Sequence, residues 1–396
     1  MKKKVLSISL GWEQEPHLKR LMSMPDLELY GIHYTEDAVH ASSFHERIHG
    51  DLRDLSTMLE FADRIQPSAV ISDEDDYGIL LAAFAAEKLG LPGPRVSEAQ
   101  LGVNKYLQRC RALESGLVIP RFSLCKSADD VRRFISAHGS PVILKPIDSR
   151  GSIGASKITD ESQASAAFYK AVSASPSLLA IVEEYIDGDH FNVDGYCFSG
   201  KGPSSLAVSA NYKLAAADGL VNDSIVYGDV KSELRHVLLR AGEETARSLG
   251  YAFGFFHGEF IRKKSDGKIF LTEMANRGGG ILISQVLLPF VTGLDLVGIY
   301  IGDCLGEKRD SHVSAAENFA RIDFVTLEAG RIYGGLAEAP NESGILAVVP
   351  FVKPGQRLPH IGNGAQRHMM MISTERDRTL VEEMKLKLKE RVLYNG

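Results

Sequence analysis

The chain has 396 residues, too many for one ordinary hydrophobic core, so roughly two or three domains are expected. With 44% hydrophobic and 24% charged residues it has the makeup of a globular rather than a disordered protein. A formal charge of −6 gives no support for nucleic acid or an anionic membrane as the principal partner.

The first hundred residues alternate between strand and helix patterns. Val5 to Leu10, Leu27 to Tyr34 and Ala69 to Ser72 read as strands, and His17 to Met24, Leu52 to Arg64 and Gly78 to Leu89 as helices. Such alternation predicts a parallel sheet with crossover helices. The basic start Met1-Lys2-Lys3-Lys4 precedes too short an apolar run for a signal peptide, and it reads as the lead into the first strand. No glycine fingerprint follows that strand, so a dinucleotide is not indicated. His45-Glu46-Arg47-Ile48-His49 matches the zinc pattern His-Glu-x-x-His, which needs a sustained helix and a third ligand. Gly50 and Asp51 interrupt any helix there, and the match is taken as coincidence.

Asn104 to Ser115 and Ala128 to His138 read as helices, the latter capped by Ser127. Pro141 to Pro146 is a predicted strand ending in Lys145-Pro146. It leads into the loop Ile147-Asp148-Ser149-Arg150-Gly151-Ser152-Ile153-Gly154 and then into extended chain at Ala155 to Ile158. Glycine and serine at Ser149, Gly151, Ser152 and Gly154 let backbone amides and hydroxyls approach phosphate oxygens, and a lysine at the strand end neutralises them. The loop is not a Walker A loop, since it lacks the Gly-Lys-Ser/Thr ending and leads into a strand. Ala180 to Tyr185 is a strand that runs into the acidic turn Ile186-Asp187-Gly188-Asp189-His190. Backbone at such a strand end can read an adenine edge, and Asp189 or His190 can reach ribose hydroxyls.

Ser232 to Leu249 is a predicted long helix, followed by two apolar runs that carry Glu259 and Glu273. These runs read as a β-hairpin. A three-residue loop, Ser265-Asp266-Gly267 with glycine in the left-handed conformation, places Glu259 opposite Glu273 and puts His257, Ile261, Ile269, Leu271 and Arg277 on their face. A two-residue Asp-Gly turn would separate the acids. Paired carboxylates in apolar strands are costly without a cation, and oxygen ligands suit magnesium, which fills its shell with water and nucleotide phosphates. The competing reading is an exposed hairpin with solvated glutamates.

Ile281 to Gly302 is apolar but contains Gln285, Pro289 and Asp295, which favours buried helices broken near Pro289 over a membrane span. The tail contains strand-like pieces at Gly344 to Phe351 and Met369 to Ser373, then a helix with Leu380, Met384, Leu388 and Val392 on one stripe. Cys110, Cys125, Cys197 and Cys304 form no metal-ligand spacing and fit a reduced cytoplasmic protein.

In this order, Val142-Ile143-Leu144-Lys145-Pro146 with its glycine loop, Val182-Glu183-Glu184-Tyr185-Ile186-Asp187-Gly188, and Glu259 to Gly280 resemble the ATP-grasp superfamily over about residues 97 to 303. The resemblance implies an α/β protein in which a Rossmann-like pre-ATP-grasp domain (residues 1–104) precedes an ATP-grasp fold of two α+β subdomains (105–303, with a lid near 141–185). A C-terminal α/β extension (304–396) would complete or pack on that core. Lys105 and Lys145 would be the two nucleotide-binding lysines, Glu183, Glu184, Tyr185 and Ile186 the adenine hinge, and Asp189 or His190 the ribose contact. Glu259 and Glu273 would bind magnesium, with manganese an alternative. Leu271 would lie under adenine, and Arg277 would steady the transferred phosphate or a substrate carboxylate.

Many members carry asparagine two residues after the second glutamate. Here Ala275 stands there with Asn276 next to it, so Asn276 is the candidate third ligand. Glu-x-x-x-Arg followed by glycines, Glu273 to Gly280, is most similar to amino-acid ligases of the superfamily. The implied function is an ATP-dependent carboxylate-amine ligase that forms an amide through an acyl phosphate, with Arg277, Lys145 and His257 as catalytic candidates and a homodimer as the expected assembly. Its substrates would be a small carboxylate and an amine, and the region Leu206 to Arg235, with Asn211, Tyr212, Lys213 and Asn222, would face the acceptor. Two alternatives are a biotin-carboxylase-like enzyme that activates bicarbonate and a nucleotide-binding regulatory protein without turnover.

Overall fold

A computed structural model describes residues 2–216, 219–307, 318–338 and 342–395. The expected alternation near the N-terminus forms a four-stranded parallel sheet in the order Glu46–His49, Leu27–His33, Lys3–Ile8, Ala69–Ile71. The helices Leu55–Ile65 and Asp76–Leu89 cover one face through Met58, Phe61, Ile65 and Leu81. The strand Glu46–His49 is an addition to the sequence reading, and it changes what the His-Glu-x-x-His match can do. On a strand, His45 and His49 are separated by about 13 Å rather than by one helical turn. Their rings turn to different acids, Glu28 at 3.4 Å and Glu36 at 3.6 Å.

A second four-stranded sheet, in the order Phe122–Cys125, Ala180–Glu184, Val142–Pro146, Ser156–Ile158, is antiparallel throughout. The helices Ala128–His138 and Ala164–Ser173 pack on it through Val131, Phe134 and Phe168. Ser127 caps the first of them reciprocally with Asp130, as its sequence implies. The glycine loop is the turn between Val142–Pro146 and Ser156–Ile158. Gly154 sits there at φ +78°, and a Cβ would lie 2.7 Å from the Ala174 side chain and 2.9 Å from Pro146, so only glycine closes the turn.

The third sheet has eight strands in the order Ile269–Ala275, Gly254–Lys263, Gly188–Phe198, Gly202–Ala216, Gly219–Tyr227, Ala320–Val325, Met369–Ser373, Ile345–Pro350. The chain after residue 304 therefore continues this sheet with three strands. One face is covered by the helix Ser232–Leu249, packed on Val193, Val208, Phe256 and Met274. Gly195 is required opposite Phe256, whose ring would lie 2.0 Å from an added Cβ.

Ile281 to Gly302 folds as Ile283–Leu287, Leu288–Thr292 and Leu296–Cys304. The break falls at Gly293 (φ +71°) and not at Pro289, which occupies the first turn of its helix where its missing amide is harmless. Among the described residues no helix is long and apolar enough to cross a membrane. The tail helix Arg378–Glu390 buries Val381, Lys385 and Leu388 while Leu380 is exposed, a stripe rotated from the expected one, and Val392 belongs to the strand Val392–Asn395. Pro340 to Gly344 reads in the sequence as a loop, and residues 340 and 341 lie outside the described residues.

Candidate active site

The hairpin brings Glu259 directly opposite Glu273. It does so by a route different from the expected one. Lys263 N donates to Lys268 O at 2.9 Å, so the loop is Lys264 to Gly267, four residues long, with Gly267 at φ +73°. That even loop pairs Phe260 with Leu271 and Ile261 with Phe270, which alone would set the acids out of register. A β-bulge at Thr272 inserts one residue and restores the pairing at Glu259. Thr272 Oγ1 donates to Glu259 O at 3.0 Å and fixes the bulge.

The bulge also reverses the alternation below it. Leu271, expected on the carboxylate face, lies on the opposite one with Phe256, Phe260 and Met274 against the long helix. Phe270 takes its place and forms a small apolar cluster with Ile186 and Ile261. Ile269, expected with Leu271 on the acid face, likewise packs with the cluster of the opposite face. Leu271→Ala is expected to cost about 2–5 kcal/mol of stability, as for a buried leucine, without changing nucleotide affinity. Phe270→Ala is expected to weaken nucleotide binding about tenfold, in addition to the stability lost with a buried aromatic ring. Paired urea melts and ADP titrations separate the two, and equal ADP affinity in both variants would remove Phe270 from the site.

Lys105 opens the helix Lys105–Glu114 with Asn104 as its N-cap. Its Nζ lies 3.0 Å from Glu273 Oε1 and donates to Ser149 O at 2.7 Å, tying that carboxylate to the glycine loop. Burial lowers its pKa, but Glu273, Asp76 and Glu259 outweigh that and hold it above the usual lysine value.

Lys145 Nζ lies 2.6 Å from Glu183 Oε2. Glu183 is 3% exposed, and Arg109 Nε lies 2.5 Å from its other oxygen. Burial raises the Glu183 pKa, yet Arg109 and Lys145 together bring it below the ordinary value. The Glu183 side chain thus anchors Lys145 and does not point toward an adenine. Arg109 carries no motif and escapes sequence reasoning; a charged residue on the inner stripe of a helix is the one available signal.

Glu184 pairs with Arg121 at 2.9 Å, and Lys157 Nζ stands 3.6 Å over the Tyr185 ring. Asp189 is exposed, whereas His190, in register with Ile261, is desolvated and its pKa falls to about 4, with Lys213 adding to the effect. In the glycine loop Gly151 and Ser152 adopt φ of +62° and +60°, and Arg150 Nη1 reaches Asp75 at 2.8 Å. Arg277 Nε lies 2.6 Å from Asp76 and its Nη1 donates to Gly278 O at 2.7 Å. Burial lowers the Arg277 pKa, but Asp76 raises it further, with Asp73 and Glu273 adding to the effect.

Asn276 is not brought to the carboxylate pair. Its backbone N and Cβ pack on Gly102, and it lines a small cavity with Ile79, Pro94 and Phe253. As the third residue after Glu273 it lies on the other side of the strand, by simple alternation.

Three groups on neighbouring strands complete the floor. Asn192 and Asp194 pair in register with Glu259 and His257, and Asn211 Nδ2 donates to Asn192 Oδ1 at 2.6 Å. His257 Nδ1 lies 2.7 Å from Asp194 Oδ1, and Tyr227 Oη donates to Asp194 Oδ2 at 2.6 Å. Burial lowers the His257 pKa, but Asp194 raises it above the ordinary value. The charged pair therefore stabilises the fold below the unfolded histidine pKa, and this contribution is lost as pH rises through the folded one. Melting temperature is expected to fall as pH rises above about 6.5 and to fall less steeply in Asp194→Asn; identical slopes would discount the pair. Burial raises the Glu259 pKa, and Lys213, His257, His190 and Lys145 together bring it below its usual value, so the carboxylate is charged. Opposed carboxylates, one of them ionised, with Lys105, Lys145 and Lys213 around them, fit a hard divalent cation bound with a nucleotide.

Residues 138–285 match the family model described as an ATP-grasp domain. The D-alanine–D-alanine ligase of Delftia acidovorans is 26% identical over 250 residues, covering 59% of this chain and 72% of that protein. The L-amino acid ligase from Bacillus licheniformis superposes over 100% of this chain and 99% of its own, with a TM-score of 0.81 at 16% identity. The biotin carboxylase domain of Hydrogenobacter thermophilus 2-oxoglutarate carboxylase, a dimer solved with MgADP and bicarbonate, gives 0.77 at 17% identity, over 100% and 91% of the two chains. At these identities the two structures establish the shared fold. The chain is therefore built around an ATP-grasp domain and has the ATP-grasp fold.

Proposed function

We propose that this chain is an ATP-dependent carboxylate-amine ligase with small amino-acid-like substrates, forming an amide bond through an acyl phosphate and releasing ADP and phosphate. The observation that carries the reading is the Glu259–Glu273 pair, set in register and joined through Lys105 to the glycine loop. The names of the D-alanine–D-alanine ligase and L-amino acid ligase relatives support the substrate class.

The adenine would lie on Ile186, Ile261 and Phe270, with Lys145, oriented by Glu183, directed at the phosphates. Glu259 and Glu273 would hold magnesium, or manganese, which when bound neutralises charge on the ATP phosphates. The glycine loop closes over the phosphates and excludes water that would hydrolyse the acyl phosphate. The substrate carboxylate attacks the γ-phosphorus, the β,γ-bridging P–O bond breaks, and ADP departs. The amine then attacks the acyl carbon, phosphate leaves with the C–O bonding pair, and the amine's proton passes to solvent or a nearby base. Arg277, aligned by Asp76, offsets charge on the phosphorylated intermediate. His257 stands on the Glu259 face, beside the reacting centre.

The test is incubation with ATP, magnesium and pooled amino acids, measuring phosphate, ADP and AMP. ADP release that requires both an acid and an amine is expected. AMP formation would overturn the acyl-phosphate route, release that requires bicarbonate instead would favour a carboxylase-like enzyme, and binding without turnover would favour a regulatory protein.

A further inference from the structure

The segment that follows the third C-terminal strand carries a cation that the mechanism above leaves unused. Asn363 caps a short turn, Gly364–Gln366, and Gly362 N donates to Gln366 Oε1 at 2.8 Å. The turn abuts the glycine loop: a Cβ on Gly364 would lie 3.2 Å from Gly151 O and 3.4 Å from Arg367 Nη2. Just beyond it, His368 is 1% exposed and locked at both ring nitrogens, to Leu327 N at 3.0 Å and to Pro359 O at 2.7 Å. Between these two fixed points the Arg367 guanidinium stacks on Phe324 at 3.9 Å from the ring centroid.

Arg367 Nε is shut off from solvent and has no hydrogen-bond partner among the described residues. A guanidinium with an unpartnered nitrogen on one edge is costly, and because Arg367 as a whole is only half-buried, an anionic ligand can approach it and supply the compensation that the protein does not. The charges around it say what kind of ligand. Lys213 feels both Arg367 and Lys145, and all three cations act on one carboxylate, Glu259. Burial, with Glu259 opposing it weakly, lowers the Arg367 pKa to about 10. Three cations around one carboxylate leave an excess of positive charge on the side of the site facing the glycine loop, where a phosphoryl group would be cradled.

We propose that Arg367 is a further catalytic residue, delivered from the C-terminal segment, whose guanidinium binds the γ-phosphoryl oxygens of ATP as the group is transferred. The proposal rests on the ligase reading above for the identity of the reaction. The chain after residue 304 then does more than extend the sheet, because its turn at 362–367 forms a wall of the nucleotide site against the glycine loop. A guanidinium suits this place because its planar fork can pair with two phosphoryl oxygens while its face stays on Phe324.

Arg367→Met keeps most of the stacked volume and removes the charge, and Arg367→Ala opens room for added guanidinium. In the full chain, Arg367→Met is expected to lower kcat for acceptor-dependent ADP release about 100-fold. Affinity for a non-hydrolysable ATP analogue is expected to fall about tenfold, and ADP affinity to stay within threefold of the parent. Guanidinium is expected to restore part of the Arg367→Ala rate. An ATP-analogue affinity within threefold of the parent would overturn the proposal. So would an equal loss of ADP and ATP-analogue affinity accompanied by a lower melting temperature, which marks a structural role. The comparison of the two nucleotides reads Arg367 even if the parent protein joins no acid to an amine, so failure of the ligase reading and failure of this one are distinguishable.

Discussion

Glu273→Ala is expected to abolish acceptor-dependent ADP release, lowering kcat by about 10³ or more, while leaving the fold intact. The side chain is 31% exposed and its ion pair with Lys105 lies at the site, so little of the hydrophobic core depends on it. On the proposed metal assignment, loss of this carboxylate would leave Glu259 as the single acid for a divalent ion, and it frees Lys105 from the contact that links the hairpin to the glycine loop. Two effects are therefore predicted together: a large rise in the magnesium concentration needed for half-maximal rate, and a melting temperature within a few degrees of the parent's. Glu273→Asp, which keeps the charge on a shorter arm, is expected to retain measurable turnover at high magnesium. Near-normal turnover by Glu273→Ala at low magnesium would refute the metal assignment.

The elements with strong local signals were the most legible in the sequence. The helices Ser232–Leu249 and Ala128–His138 fall where periodicity and capping place them, because each buries an apolar stripe and has its own start or stop signal. The opposition of Glu259 and Glu273 was also legible, although the loop that was expected to cause it is not the loop that forms. A β-bulge has no composition signature, and Thr272 looks like any strand threonine. Its effect is to preserve the acid pair while sending Leu271 into the core and Phe270 to the site. The polar strand Glu46–His49 and the late strands at 320–325 and 332–336 were less legible. The first lies at a sheet edge with little apolar content, and the others are set by pairing with distant partners. Arg109 and Asp194 stayed hidden for a related reason. Each is functionally placed only because segments far apart in sequence converge, as Arg109 meets Glu183 from 74 residues away.

Arg109→Leu is expected to be the most destabilising single change among the site's supporting residues, costing about 3–5 kcal/mol. Arg109 is 0% exposed, and its guanidinium bridges Glu183 and the carbonyl of Thr272, the residue that forms the bulge. Removing it leaves a buried carboxylate with Lys145 as its one remaining ion-pair partner among the described groups, and takes a hydrogen bond from the carbonyl at the position that sets the hairpin register. Lys145 would then be drawn more tightly onto Glu183 and away from the nucleotide, so turnover should fall along with stability. The double variant Arg109→Leu/Glu183→Leu removes the buried charge and its counter-ion together, and is expected to recover most of the lost stability, since apolar replacements of a buried pair are often near neutral. It should not recover activity, because Lys145 loses the carboxylate that aims it. Urea melts of the four proteins in this cycle, with nucleotide affinity measured on each, separate the two roles. A double variant no more stable than Arg109→Leu would show that the Thr272 carbonyl, and not Glu183, is what Arg109 is there to satisfy.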